Sequence, residues 1–224
     1  MIINKDFPNY FDGITESPIE TDFAYALCKI LKPGINFDSQ TVFSTKLGEF
    51  RGDFIIQDNY QKVLIELDGK EFHERSNDIW RDSFILGEKK VDLIVRFNGK
   101  DIVYNLNECC YILMEKLPDF FSERSKTNFV NLIEPKNLVE IQTKTKENES
   151  KSMDLNYFSL IYFDDKDKQC ESILEMHYKS GSGGYWEKFY NYAINNSIFK
   201  VDLLNKNYFQ LTSFHETMTK SDSI

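Results

Sequence analysis

The chain has 224 residues, 41% of them hydrophobic, with 19 Phe and 12 Tyr, and a formal net charge of −9 at pH 7. That apolar content excludes a disordered chain, and no apolar run approaches the roughly 20 residues a membrane-spanning helix needs. The acidic balance argues against a protein that coats nucleic acid nonspecifically, but not against an enzyme that meets a phosphate backbone through a metal and local basic groups.

The lead-in MIINKDFPNYFDG has no basic and apolar signal-peptide pattern, so a cytoplasmic protein is expected. In SPIETDFAYALCKILKPG, Ser17 is placed to N-cap, Pro18 suits the first helical position and Glu20 completes a capping box. Ile19, Phe23, Ala26, Leu27, Ile30 and Leu31 form a helical stripe, which Pro33-Gly34 ends. A short strand is expected at Thr41–Thr45. GEFRGDFIIQ and KVLIELDG are two clear strands, and QDNYQ between them has hairpin composition. EFHERSN is a loop, and a helix is expected from Asp78 to Leu86, with Trp80, Phe84 and Ile85 turned inward and Gly87 as its C′ residue. VDLIVRF is an almost wholly apolar strand of the kind found in a sheet's centre, and NGKD leads into a helix from Ile102 to Leu117. The order is α-β-β-β-α-β-α, an α/β arrangement with helices packed on a mixed sheet.

Residues 119–142 carry a weaker pattern, with a short strand expected at Leu138–Gln142. The polar run TKTKENESKS, 143–152, reads as a linker. After it, LNYFSLIYFD and CESILEMHY read as strands, GYWEKFYNYAIN as a helix and FKVDLLNKNYFQLT as a hairpin turning at Asn205–Asn207. The expected division is thus a first domain over 1–142 and a small α+β accessory module over 153–224, closing in a polar tail. SGSGGYWEKF has neither a lysine-threonine signature nor GxGxxG spacing, so it reads as a flexible loop. The four cysteines form no CxxC pair and there are three histidines, so a zinc site of ordinary spacing is not expected. Cys28 and Cys110 read as reduced core residues.

The chemistry concentrates in FRGDFIIQDNYQKVLIELDGKEFH. Centring the turn near Asn59–Tyr60 places Asp53 directly opposite Glu66, where Cβ atoms stand roughly 4.5–5.5 Å apart. Alternation puts Asp68 on the Glu66 face, and Lys70 joins it if the strand runs past Gly69. Opposed like charges destabilise a sheet unless a cation sits between them, either a side chain such as Arg51 or Arg96, or a divalent metal. Mg²⁺ takes one or two carboxylates, keeps several waters and completes its shell with phosphate oxygens. No serine or cysteine nucleophile accompanies the cluster. Lys70 would orient the attacking water or stabilise charge on phosphorus.

The combination of FRGDF, IELDGKEFH and DIWRDSFILGEKKVDLIVRF resembles the PD-(D/E)xK nuclease superfamily, and within it the very-short-patch-repair-like, DUF559-type branch. The resemblance rests on Asp53, Glu66-Leu67-Asp68-Gly69, His73, Asp78-Ile79-Trp80-Arg81, Gly87 and Arg96-Phe97, and it covers about Ser17 to Leu117. It implies a restriction-endonuclease-like core binding Mg²⁺, with Mn²⁺ as substitute, through Asp53, Glu66 and the carbonyl of Leu67. It also implies that Glu20 reaches toward the metal or its water. The archetypal lysine two residues past the glutamate is Asp68 here, as in that branch, so Lys70 or His73 must supply the cation.

Each residue has a second reading. Glu20 fits the capping box alone, Asp68 a turn carboxylate, Lys70 a solvated side chain and His73 a surface histidine rather than a proton-transfer group. Asp78 and Arg81 read as a clasp on one helix surface. Arg51, Arg81, Lys89 and Lys90 are the basic groups expected at a phosphate backbone. The expectation is a Mg²⁺-dependent endonuclease acting on DNA in repair, restriction or defence. Residues 153–224 would bind substrate or a protein partner, and a homodimer would suit double-strand cutting. The alternative is a noncatalytic nuclease-fold subunit that docks DNA or protein.

Overall fold

The computed structural model describes residues 15–46, 48–69, 75–149, 155–163, 169–178, 190–191 and 194–195, with backbone alone at 75–80, at 144–149 and within 155–178. Helix α1 spans Pro18–Ile30. Ser17 Oγ accepts the Glu20 amide at 3.2 Å and donates to Glu20 Oε1 at 2.9 Å, and Glu20 Oε2 accepts the Glu16 amide at 2.9 Å. The first contact satisfies one of the amides that a helix start leaves without partners, an effect of about 1 kcal/mol, while the Glu20 carboxylate reaches the Glu16 amide rather than the Ser17 amide of the expected capping box. Phe23, Ala24, Leu27 and Ile30 carry the buried stripe.

Three strands follow: β1 at Asn36–Thr45, longer than its expected Thr41–Thr45 core, then β2 at Gly48–Gln57 and β3 at Lys62–Asp68. They pair antiparallel in sequence order. Helix α2, Arg75–Gly87, crosses to β4, Leu93–Asn98, which runs parallel to β3. Helix α3, Gly99–Lys116, is N-capped by Asn98 and breaks its helical dihedrals at Asn105. A 3₁₀ turn at Pro118–Phe120 leads to α4, Glu123–Val130, and α5, Pro135–Glu149. The chain is therefore an α/β protein with a mixed sheet.

The sheet interior is apolar on both sides. Phe23 of α1 packs between Phe54 and Phe97, with ring centroids 5.8 and 5.7 Å away. Val63, Ile65, Leu93 and Val95 share that core with Cys110 and Leu113 of α3. Ile55, Leu64 and Ile94 take the alternate positions and are as deeply buried, as are Phe84, Ile85 and Leu86 of α2. Burying each such side chain contributes about 1.5–3 kcal/mol.

The C-terminal half departs from its expected organisation. Leu138–Gln142 is not a strand, and 143–149 is not linker, because α5 covers both. Pro135 suits a helix start, Ile141 is fully buried three residues after the partly buried Leu138, and the Lys/Glu-rich continuation favours helix. Strands β5, Leu155–Phe163, and β6, Gln169–Tyr178, do not form a second sheet. They extend the first, in the order β1-β2-β3-β4-β6-β5, with Arg96 of β4 in register with Glu175 of β6. The expected turn at Asn205–Asn207, the Gly-rich loop before Tyr185 and the polar tail lie outside the described residues. Among the described residues, no helix is long and apolar enough to cross a membrane.

The end of α2 holds another correction. Gly87 is its last helical residue, and Lys89 takes the left-handed C′ position with φ +58°. The Lys90 amide returns to the Ile85 carbonyl and the Lys89 amide to Leu86, both at 2.9 Å, which is a Schellman closure. Gly87 instead makes room for Tyr190: a Cβ there would lie 2.7 Å from the Tyr190 Cβ.

Candidate active site

Phe54 pairs with Ile65 and Ile55 with Leu64, so continuing the register sets Asp53 opposite Glu66, as the hairpin pattern predicts. The ladder stops at Phe54–Ile65. One residue on, Asp53 Oδ2 accepts the Leu67 amide at 2.8 Å, so a side-chain carboxylate stands in for a main-chain acceptor as β2 leaves β3.

The other edge of β2 is interrupted at the same level. Ser39 pairs with Phe54 and Thr41 with Gly52, while the intervening Gln40 has φ +50°. Phe37 stacks on Phe54, centroids 5.7 Å apart, in the α1-side core. Simple alternation would put Phe43 on that face too. Instead Phe43 closes over Gly52 together with Leu64: a Cβ at Gly52 would meet Leu64 Cδ1 at 2.4 Å, Phe43 Cε2 at 3.0 Å and Glu66 Oε1 at 3.4 Å. The left-handed residue turns the outer half of the hairpin over Glu66, and glycine permits the approach.

Glu66 is 3% exposed. Arg81 Nη2 lies 3.1 Å from Glu66 Oε1, close enough for an ion pair but out of line for a hydrogen bond, so both atoms stay buried without one. Arg96 engages Asp82 with two hydrogen bonds, at 2.8 and 2.7 Å, and Asp68 Oδ1 with a third at 2.6 Å. Burial opposes the charge on Arg96, yet Asp82, Asp68 and Glu66 more than offset it and hold its pKa well above the usual value. Burial raises Glu66 to about 8; Arg81 and Arg96 oppose this rise, and Asp53 and Asp82 add to it. Burial likewise raises Asp53 to about 6 against the Leu67 amide and Arg81, with Glu20 and Asp68 adding to the rise.

The structure thus brings together Asp53, Glu66, Asp68 and Arg81. Glu20 joins this group through its charge on Asp53, but its carboxylate is engaged by the capping contacts and by Gln40 Nε2 at 2.9 Å. Arg81 meets Glu66 rather than serving only the expected clasp with Asp78, whose side chain lies outside the described residues. Arg51 pairs with Glu16, Lys90 approaches Glu88 at 3.7 Å, and the exposed Lys89 closes α2. Lys70 and His73 lie outside the described residues. Asp82 and Gln40 also contribute here, though neither is among the residues expected from sequence. Asp82 had a signal, an acid within a helix's apolar stripe facing an arginine in an otherwise apolar strand. Gln40 had none, since its conformation is not a property of its residue type.

Asp53 and Glu66 are the carboxylates that the hairpin sets opposite each other, and the Leu67 carbonyl is the third donor that the resemblance implies. Mg²⁺ needs no more than one or two carboxylates. A buried Glu66 oxygen without a hydrogen bond and two carboxyls raised by burial are features a cation would satisfy, with Arg81 as its competitor. Among the described residues no group of three or more His, Cys, Asp or Glu converges as a fuller cage. Family models, curated proteins and solved structures offer no match to this chain.

Proposed function

We propose that this chain is a divalent-metal-dependent nuclease with a restriction-endonuclease-like core, hydrolysing phosphodiester bonds of DNA. The observation that carries the reading is the placement of Asp53 opposite Glu66 where their ladder ends, with Glu66 Oε1 buried and lacking a hydrogen bond. When bound, Mg²⁺ (or Mn²⁺) supplies Lewis acidity toward the phosphate and acidifies a water. Asp53, Glu66 and the Leu67 carbonyl would hold it. Arg96 holds Asp68 and Asp82 in place, and Arg81 is the cation that faces Glu66 in the absence of metal. Lys70 and His73 are the proposed cation and proton-transfer groups. Water adds to phosphorus, the ester P–O bond breaks, and the leaving oxygen takes up a proton. Arg51, Lys89 and Lys90 are proposed phosphate contacts, and a protein partner or homodimer belongs to the same proposal.

The test is cleavage of plasmid, linear duplex, single-stranded DNA and RNA with Mg²⁺, Mn²⁺ or EDTA. Asp53→Ala and Glu66→Ala should each lose at least about a hundredfold in rate, as expected when preorganised charge is removed. Cleavage at the wild-type rate in both variants refutes the mechanism. A second reading, a noncatalytic docking subunit, is favoured by the arginines already facing Glu66 and Asp68. DNA binding without cleavage under every metal condition would select it.

A further inference from the structure

Gln40 stands opposite Asp53 in the β1–β2 register and Asp53 stands opposite Glu66, so the three lie at one level on successive strands. Two unfavourable features meet at Gln40. Its φ of +50° is left-handed, a region that L side chains rarely adopt. Its Oε1 is buried without a hydrogen-bond partner. The carboxamide cannot simply be reversed. Nε2 donates to Glu20 Oε2 at 2.9 Å, and a carboxylate can only accept, so a flip would oppose two acceptors. Glycine would hold this backbone without strain and would bury no orphan oxygen. Local strain of this kind collects at functional sites, and here it coincides with the level at which both ladders are interrupted.

We infer that Gln40 is a positioning residue of this site: its Nε2 holds the Glu20 carboxylate, and its Oε1 is the acceptor for a water carried by the bound cation. The inference rests on the metal-dependent reading above. The ligand chemistry is that of a hydrated hard divalent cation. Such an ion keeps several of its waters, and each water brings protons that need acceptors. Asp53 and Glu66 bind the ion, Glu20 carries charge near Asp53, and Gln40 adds an uncharged acceptor fixed in direction by its bond to Glu20.

The test is calorimetric titration of the full chain with Mn²⁺ at pH 8, comparing wild type, Gln40→Met, Gln40→Gly and Asp53→Asn, with metal-free thermal unfolding in parallel. Wild type should bind Mn²⁺ and Asp53→Asn should not. Both Gln40 variants should bind at least about tenfold more weakly, the effect of removing an outer-sphere partner. Metal-free Gln40→Gly should unfold no lower than wild type, because its left-handed backbone is relieved. Equal affinity in Gln40→Met and wild type overturns the inference while leaving the nuclease reading in place. Weakened binding that follows a fall in metal-free unfolding temperature in both Gln40 variants makes the residue structural and also overturns it. No Mn²⁺ uptake by wild type overturns both the inference and the metal-dependent reading.

Discussion

Arg96 grips Asp82 through two parallel hydrogen bonds, Nε to Oδ2 at 2.8 Å and Nη2 to Oδ1 at 2.7 Å, with both residues buried. Its third donor reaches Asp68, so one guanidinium ties α2 to the ends of β3 and β4. Asp82→Ala should cost about 3 kcal/mol, because the buried arginine loses its two-point partner and keeps only its single bond to Asp68. Asp82→Leu combined with Arg96→Met should recover most of that loss. Arg96→Lys should not, since an ammonium cannot reproduce the fork. Denaturant unfolding of the single and double variants checks this, and an additive double variant would sink it.

The raised carboxyls set the pH dependence of the metal-free protein. Between the ordinary carboxylate range and about 6 for Asp53 or about 8 for Glu66, the folded state keeps protons that the unfolded chain has released. Stability should therefore fall as pH rises through that window, and the penalty should be absent at lower pH, where both states are protonated. Glu66→Gln should flatten the upper part of the profile and unfold at higher denaturant than wild type at pH 8. A divalent cation should act in the opposite sense and bind more tightly as pH rises, since it takes the ionised carboxylates. Unfolding midpoints at pH 5 and pH 8, with and without Mn²⁺, measure both effects.

Gly52→Ala probes the closure over Glu66. The added Cβ would lie 2.4 Å from Leu64 Cδ1, which cannot retreat freely because Leu64 is fully buried. Overpacking of this kind costs about 1–3 kcal/mol. The strain falls beside Glu66 Oε1, so metal affinity should drop along with the unfolding midpoint. Unchanged values for both would show that the outer hairpin does not seal this position.

Lys89→Gly should stabilise the protein by about 0.5–1 kcal/mol, since the C′ position at φ +58° favours glycine. Lys89→Val should destabilise it. If Lys89 also meets a phosphate, the same variant should reduce the dependence of log K on log salt by about one unit. Thermal unfolding and a salt series of DNA binding separate the two contributions.

The core was largely legible from local pattern. Ser17, Pro18 and Glu20 mark the start of α1, and the turn composition of QDNYQ fixes a hairpin whose register brings Asp53 to Glu66. Both follow from contacts between residues close in sequence. The second half was not legible for a matching reason. Leu138–Gln142 fits either period over so few residues, and it becomes helical within α5, where Ile141 is buried against the core. That β6 closes the edge of β4 depends on a pairing between distant segments, which no local pattern encodes.

The site divides along the same line. The amino-acid order alone determined which carboxylates share a hairpin and that an arginine ends the central strand, because strand alternation and turn length are short-range rules. Tertiary structure decided that Arg96 belongs to Asp82 and Asp68, that Arg81 faces Glu66, and that Gln40 takes a left-handed backbone opposite Asp53. Those outcomes depend on where α2 and the outer hairpin come to rest against the sheet. Buried charges then pair with whichever partner that packing leaves within reach.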